Sequence, residues 1–154
     1  MVSVSALNEN VINDIESYFK QQSLISLATV EGDQPRVRIV SLIRIDREFY
    51  VITGARGGAE TAKVRQIKEN PKIEFVMQVE KDGKIGNIRA TAMATILVDP
   101  SLKSRLFEEI DWVKSYFPNP EHPDYVLLGI NVKSYEYSTP GKPQVLRVDV
   151  NSRA

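Results

Sequence analysis

Two stretches of the chain carry residues whose types and spacing allow chemistry. In the first, Arg36-Val37-Arg38-Ile39-Val40-Ser41-Leu42-Ile43-Arg44-Ile45 alternates as a β-strand, and side chains two apart share a face. Val37, Ile39, Ile43 and Ile45 fall on one face together with Ser41. Arg36, Arg38, Val40, Leu42 and Arg44 fall on the other. Three arginines around a valine and a leucine suit a half-buried surface that meets an anion or a partner subunit. An ordinary surface strand whose arginines pair with glutamates explains the pattern as well. In the second stretch a strand ends at Thr53, Gly54-Ala55-Arg56-Gly57-Gly58 follows, and a helix opens near Thr61-Ala62-Lys63. Helix N-termini present unpaired N–H groups and partial positive charge. With the Thr61 hydroxyl, the Lys63 ammonium and Arg56 and Arg65 nearby, this is a chemically sensible phosphate cradle. Spacing alone favours the plainer reading, a threonine N-cap before a surface lysine.

Other chemistry is narrowed by what the sequence lacks. The 154 residues include no cysteine, which removes disulfides, thiolate zinc sites, iron–sulfur ligation and cysteine nucleophiles. The one histidine, His122, lies among Pro118, Pro120 and Pro123 and reads as an exposed loop residue. A multi-histidine metal site is excluded, and no metal site is expected. Glu108, Glu109 and Asp111 read as a solvated helix face. Trp112, Tyr116 and Phe117 read as core or dimer contacts, and Tyr135 and Tyr137 as a pair on one strand face. Twenty Lys+Arg balance twenty Asp+Glu, so the basic excess of a general nucleic-acid binder is missing. No apolar run approaches a membrane span, and Met1 to Asn10 lacks the pattern of a secretory signal. The expectation is a soluble cytoplasmic domain with neither nucleic acid nor membrane as partner.

These residues need elements to position them. Val11, Ile12, Ile15, Tyr18 and Phe19 form a helical stripe over Asn8 to Gln22, with Asn8 as N-cap. Strands are expected over Leu24–Val30, Val37–Ile45, Phe49–Thr53, Ile73–Glu80, Ile85–Val98 and Tyr125–Tyr137, with a small final one over Gln144–Val150. Glu31-Gly32-Asp33-Gln34-Pro35 is a turn cluster, and Asp46-Arg47-Glu48 and Lys81-Asp82-Gly83-Lys84 mark hairpin turns. Helices are expected over Thr61–Lys68 and Ser101–Tyr116. The sum is an α+β domain covering the whole chain, an antiparallel barrel or sheet of about six strands with flanking helices. No dinucleotide fingerprint or P-loop is present.

The order of several modest stretches adds a resemblance. They are Leu27-Ala28-Thr29-Val30 with Gly32 and Pro35; Pro35-x-x-Arg38-x-Val40; Tyr50-Val51-Ile52-Thr53; Thr61-x-Lys63; Asn70-Pro71; Ile88-Arg89-Ala90-Thr91-Ala92 with Asp99-Pro100; and Tyr116-Phe117-Pro118 leading to Pro123-Asp124-Tyr125-Val126-Leu127-Leu128. From about Leu24 to Tyr137 the chain resembles the pyridoxamine 5′-phosphate oxidase-related family of FMN-binding split β-barrels, and within it the general stress proteins. The resemblance implies a homodimer with two FMN molecules at the subunit interface. It implies that Arg38 opens the flavin-binding strand and that Ile39, Val40 and Ser41 lie along the isoalloxazine edge. Thr53 matches the threonine closing the next strand, and Thr61 and Lys63 match the phosphate-binding Ser/Thr-x-Lys. Asn87 stands near a flavin-contacting glutamine of the oxidase and Tyr137 near a tryptophan.

Departures bear on the reaction. Five positions after its arginine the oxidase has a lysine, and here that position is Ile43. The basic residue before the phosphate lysine is Ala62 here, and the oxidase's substrate-phosphate motifs are not visible. True oxidation of pyridoxamine 5′-phosphate therefore stands behind a generic flavin role. The leading expectation is an FMN-dependent oxidoreductase of unknown substrate, with no catalytic residue assigned. The alternatives are a non-enzymatic flavin-binding stress protein and a deazaflavin-dependent reductase on the same fold. Haem is disfavoured by the single loop histidine and the lack of cysteine.

Overall fold

The computed structural model describes residues 4–54 and 62–150. Two-residue turns dictate much of the architecture. Gly32 (φ 62°) turns β1 (Gln22–Glu31) into β2 (Gln34–Ile45). Asp46 and Arg47 (φ 53° and 68°) turn β2 into β3 (Glu48–Gly54). Asp82 and Gly83 (φ 53° and 76°) turn β4 (Lys72–Lys81) into β5 (Lys84–Leu97). Left-handed residues in such turns match the right-handed twist of the strands, so each gives a tight antiparallel hairpin.

Two further strands, β6 (Tyr125–Ser138) and β7 (Val145–Asp149), complete one sheet of order β3-β2-β1-β4-β5-β6-β7. A second pairing, β3 with β6, closes the first six strands into a barrel. β6 is long enough to serve two neighbours on that side. Its first half, Tyr125–Ile130, pairs with β3, and its second half, Ser134–Ser138, pairs with β7. The β5–β6 register shifts between Thr91 and Ala92, where Lys133 of β6 is left without a partner in the ladder, so the bulge expected of a long strand falls on β6.

Inward parity on β1, β4 and β5 delivers Ile25, Leu27, Ile73, Phe75, Met77, Ile88, Ala90 and Ala92 to the barrel core. Helix α1 (Val4–Glu16) adds Ile12 and Ile15, both fully buried, and Phe19 just beyond it packs edge-on against Phe49 at 5.1 Å. Each large apolar side chain buried in this way contributes roughly 1.5–3 kcal/mol. The helix begins before Asn8, which is therefore an interior residue and not the N-cap. It also stops short of Gln22, because Phe19 turns into the barrel and Gln22 is the first residue of β1.

A second core lies on the outer face of the barrel. There α3 (Pro100–Glu109) and α4 (Val113–Tyr116) cover Ile43, Ile45, Ile52 and Leu127 with Leu106, Phe107, Ile110, Val113 and Phe117. Asp99 caps α3 by accepting a hydrogen bond from the Ser101 N–H at 3.0 Å. One helix was expected over Ser101–Tyr116, but the chain breaks it between α3 and α4, where Ile110 adopts an extended conformation. Helix α2 (Ala62–Glu69) lies against β1. No helix among the described residues is long and apolar enough to cross a membrane.

Candidate functional site

β2 pairs with β1 from Gln34 to Ile43 but with β3 only through Ile43, Arg44 and Ile45. Among the described strands, the edge of β2 from Gln34 to Leu42 that faces away from β1 is therefore open. A cleft of about 650 Å³ lies beside it. Ile39, Val40 and Ser41 form its floor, and Ile52, Thr53 and Gly54 line it from β3. Lys63 enters from the first turn of α2, and Trp112, Tyr116, Phe117 and Asp124 stand at the end formed by α4 and the proline-rich loop.

The cationic end is the chemically distinctive one. Lys63 is half-buried, and burial first, then the nearby Arg38 charge, push its amine down to about 8 from the ordinary 10.5. Arg38 shares inward parity with Val40 and Leu42 and extends toward α2. Its guanidinium donates to Thr29 Oγ1 at 2.7 Å and to Gln66 Oε1 at 2.8 Å. Burial, followed by the Arg36 charge, lowers the pKa of Arg38. Among the described residues, no carboxylate pairs with Arg38 or Lys63. Two like charges placed together raise the local positive potential and favour an anion nearby.

At the opposite end the side chains are aromatic. Trp112 meets Tyr116 edge-to-face at 5.6 Å, and Phe117 stacks on Tyr125 at 5.2 Å. Tyr116 is 73% exposed at the mouth of the cleft. The Trp112 indole N–H donates to Gln22 Oε1 at 2.9 Å, which ties this end to β1.

The structure thus gathers Ile39, Val40, Ser41, Thr53 and Lys63 in one cleft, with Arg38 beside Lys63. Thr61 and the Gly54-to-Glu60 stretch beyond Gly54 lie outside the described residues. Asn87 is elsewhere in the chain, on the outward face of β5 opposite Gln78. Tyr137 is buried in the barrel, where its hydroxyl lies 3.0 Å from that of Tyr18. Tyr135 donates to the buried Glu16 carboxylate at 3.0 Å, so Tyr135 holds the end of α1 and Tyr137 the segment just after it. Ile43 is fully buried under α3 and α4. Among the described residues no acidic or histidine cluster could hold a metal.

The structure decides which face of β2 is inside. Its arginine-bearing face points inward, where Arg38 meets Thr29 and Gln66 and Arg44 meets Glu16. The outward face carries Val37 and Ile39, which are 70% and 67% exposed. They lie beside Ser26 and Ala28 of β1, and Val76 of β4 continues the patch. Asn87 lines a groove on this same outward face with Ser26 and Val76.

Ile52, Gly54, the aromatic cap and the Thr29–Gln66 support were not singled out as site residues by sequence reasoning. A signal existed for Thr29, a hydroxyl at inward parity after Ile25 and Leu27. None existed for Trp112 or Asp124, which reach the cleft only through the folding of the proline-rich loop.

A closed six-stranded antiparallel barrel with an open strand edge beside a cationic pocket defines a split-barrel protein. The family model described as pyridoxamine 5′-phosphate oxidase matches residues 13–139, and the chain belongs to that family. Among solved structures, General Stress Protein 26 from Bacillus anthracis is 25% identical with a TM-score of 0.66, over 92% of this chain and 98% of the other. A NimC/NimA family protein from Clostridium acetobutylicum is 19% identical with a TM-score of 0.73, over 93% and 94%. A FAD-binding protein from Mesorhizobium loti is 14% identical with a TM-score of 0.64, over 85% and 94%. No curated protein matches the sequence.

Proposed function

We propose that the cleft binds FMN and that the protein is a flavin-dependent oxidoreductase working as a homodimer. The observation that carries this reading is Lys63 in the cleft with the Arg38 guanidinium near it, two cations with no carboxylate partner among the described residues. Such a pair fits a phosphate dianion, which an oxidoreductase cofactor such as FMN carries and riboflavin does not. The open edge of β2 at Ile39, Val40 and Ser41 supplies backbone donors and acceptors suited to the polar rim of a planar ring. When bound, FMN supplies the electron and hydride chemistry, and the chain's residues bind and orient it. The family supports a flavin in general, and the phosphate-sized charge favours FMN.

The homodimer rests on the outward apolar patch of Val37, Ile39 and Val76. Exposed apolar surface of this kind marks a protein interface. Ile43, buried where the oxidase has lysine, leaves no cation there for a phosphorylated substrate. Pyridoxamine 5′-phosphate is therefore not the expected substrate.

A non-enzymatic flavin-binding role is the second reading. It is favoured by the lining of the cleft, where Asp124 is the one carboxylate among the described residues. The visible spectrum and mass of the small molecule that co-purifies test the cofactor and separate FMN from a deazaflavin. Steady reduction of the bound flavin by a nicotinamide cofactor, with turnover, separates enzyme from carrier. Purified protein that takes up neither FMN nor a deazaflavin overturns the proposal.

A further inference from the structure

Behind the cationic end of the cleft lies a buried polar network that the flavin reading does not use. Gln66 and Thr29 are each only 1% exposed. The Gln66 amide oxygen accepts from the Thr29 hydroxyl at 2.5 Å and from Arg38 at 2.8 Å. Its amide nitrogen donates to Glu31 Oε2 at 2.7 Å. This fixes the orientation of the amide, because a flipped group would aim its NH₂ at the arginine. Thr29 accepts from Arg38 at 2.7 Å and spends its own proton on Gln66. Arg65 meets the same Glu31 oxygen, Oε2, at 3.3 Å, and Arg36 approaches the other, Oε1, at 3.8 Å. The Gln66 bond, then that of Arg65, hold the Glu31 carboxyl below its ordinary range.

A carboxylate at position 66 would hold Arg38 more tightly than an amide does, since charge-assisted bonds are the stronger ones. It would also neutralise the guanidinium. We propose that Gln66 is a charge insulator: it positions Arg38 with a neutral oxygen and keeps the Glu31 carboxylate one residue away. The guanidinium then keeps its charge for a ligand phosphate beside Lys63. This inference rests on the reading of the cleft as a phosphate-anchored flavin site.

The test is a charge exchange. The double variant Glu31→Gln/Gln66→Glu keeps the net charge and nearly the same atoms, and moves the carboxylate from position 31 to position 66. Dissociation constants for FMN and for riboflavin are measured by quenching of flavin fluorescence in the wild type, the double variant and Glu31→Gln. The wild type is expected to prefer FMN by about ten- to a hundredfold, as for a charge-assisted phosphate contact. In the double variant that preference should fall to within about threefold, with riboflavin affinity unchanged. A role limited to holding Arg38 in place predicts no loss, because glutamate accepts the same two bonds.

Retention of the wild-type preference by a folded double variant therefore overturns the proposal. Glu31→Gln alone changes a partly exposed residue and decides the matter if the double variant does not fold. An unchanged preference supports insulation, and a tenfold or greater gain in FMN affinity shows that the Glu31 charge already reaches Arg38 and overturns it. A wild type that binds both flavins equally overturns the phosphate reading of the cleft, and this inference with it.

Discussion

Raising the pH through 8 should release the phosphate end of the ligand while leaving the ring end untouched. Lys63 titrates at about 8, well below the ordinary 10.5, because of burial and the neighbouring Arg38 charge. The amine is then about ninety per cent protonated at pH 7 and about ten per cent at pH 9. A bound phosphate dianion favours the ammonium, so it raises the amine's pKa and ligand binding takes up a proton. The dianion itself does not change over this window, its second pKa being near 6. FMN affinity should therefore fall about tenfold between pH 7 and pH 9. Riboflavin, which lacks the phosphate, should show no such fall, and Lys63→Met should flatten the FMN profile. Without ligand the sign reverses. The folded protein loses the Lys63 proton at a lower pH than the unfolded chain does, so the stability of the ligand-free protein should rise as pH climbs from about 8 toward 10.5. Flavin titrations in a constant-ionic-strength buffer series provide the assay. Parallel slopes for FMN and riboflavin, or an unchanged slope in Lys63→Met, would refute the assignment of Lys63 to the phosphate.

Further outcomes are expected elsewhere in the molecule. Ile39→Asp places a charge in the middle of the outward patch, and light scattering at micromolar concentration should show the dimer giving way to monomer. A wild type that is monomeric with bound flavin would refute the shared-site reading. Arg44→Met removes the arginine from the buried Glu16, to which it is joined at 3.4 Å and whose backbone carbonyl accepts from it at 2.6 Å. Breaking a buried pair of this kind should cost about 3 kcal/mol in urea unfolding. Wild-type protein should oxidise pyridoxamine 5′-phosphate negligibly. Ile43→Lys should not restore that activity and should lower the melting temperature, since the new ammonium would enter the apolar layer of Leu106, Ile110 and Val113.

Much of this fold can be read from the sequence because its signals are local. Asp82-Gly83 and Gly32 name their own turns, and alternation over β1, β4 and β5 sets the inward faces. The final segment over Gln144–Val150 forms β7, the seventh strand. What the sequence does not carry is which face of β2 is inside. Alternation separates Arg38, Val40 and Leu42 from Val37, Ile39 and Ile43, but tertiary contacts decide the matter, because Thr29 of β1 and Gln66 of α2 give the Arg38 guanidinium interior partners. After Leu42 both faces are covered, one by the barrel core and one by α3 and α4, so Ile43 and Leu42 are both buried and the face argument no longer applies. In the site, Lys63 is legible as a cation at the start of a helix, because helix and lysine are contiguous in the sequence. The aromatic end depends on where a proline-rich loop returns, and no periodicity encodes that.

The open edge of β2 also has a meaning for the newly made chain. Unpaired strand edges are templates for other strands, and one flanked by exposed Val37 and Ile39 invites sheet-to-sheet aggregation. Arg36 and Arg38 interrupt the apolar residues at every second position, as gatekeeping charges do, and Pro35 removes a donor near the start of the edge. In the assembled protein the flavin and a second subunit would cover what these residues leave exposed. Flavin supply during expression should then govern soluble yield as well as colour, with starved cultures sending the protein into insoluble material.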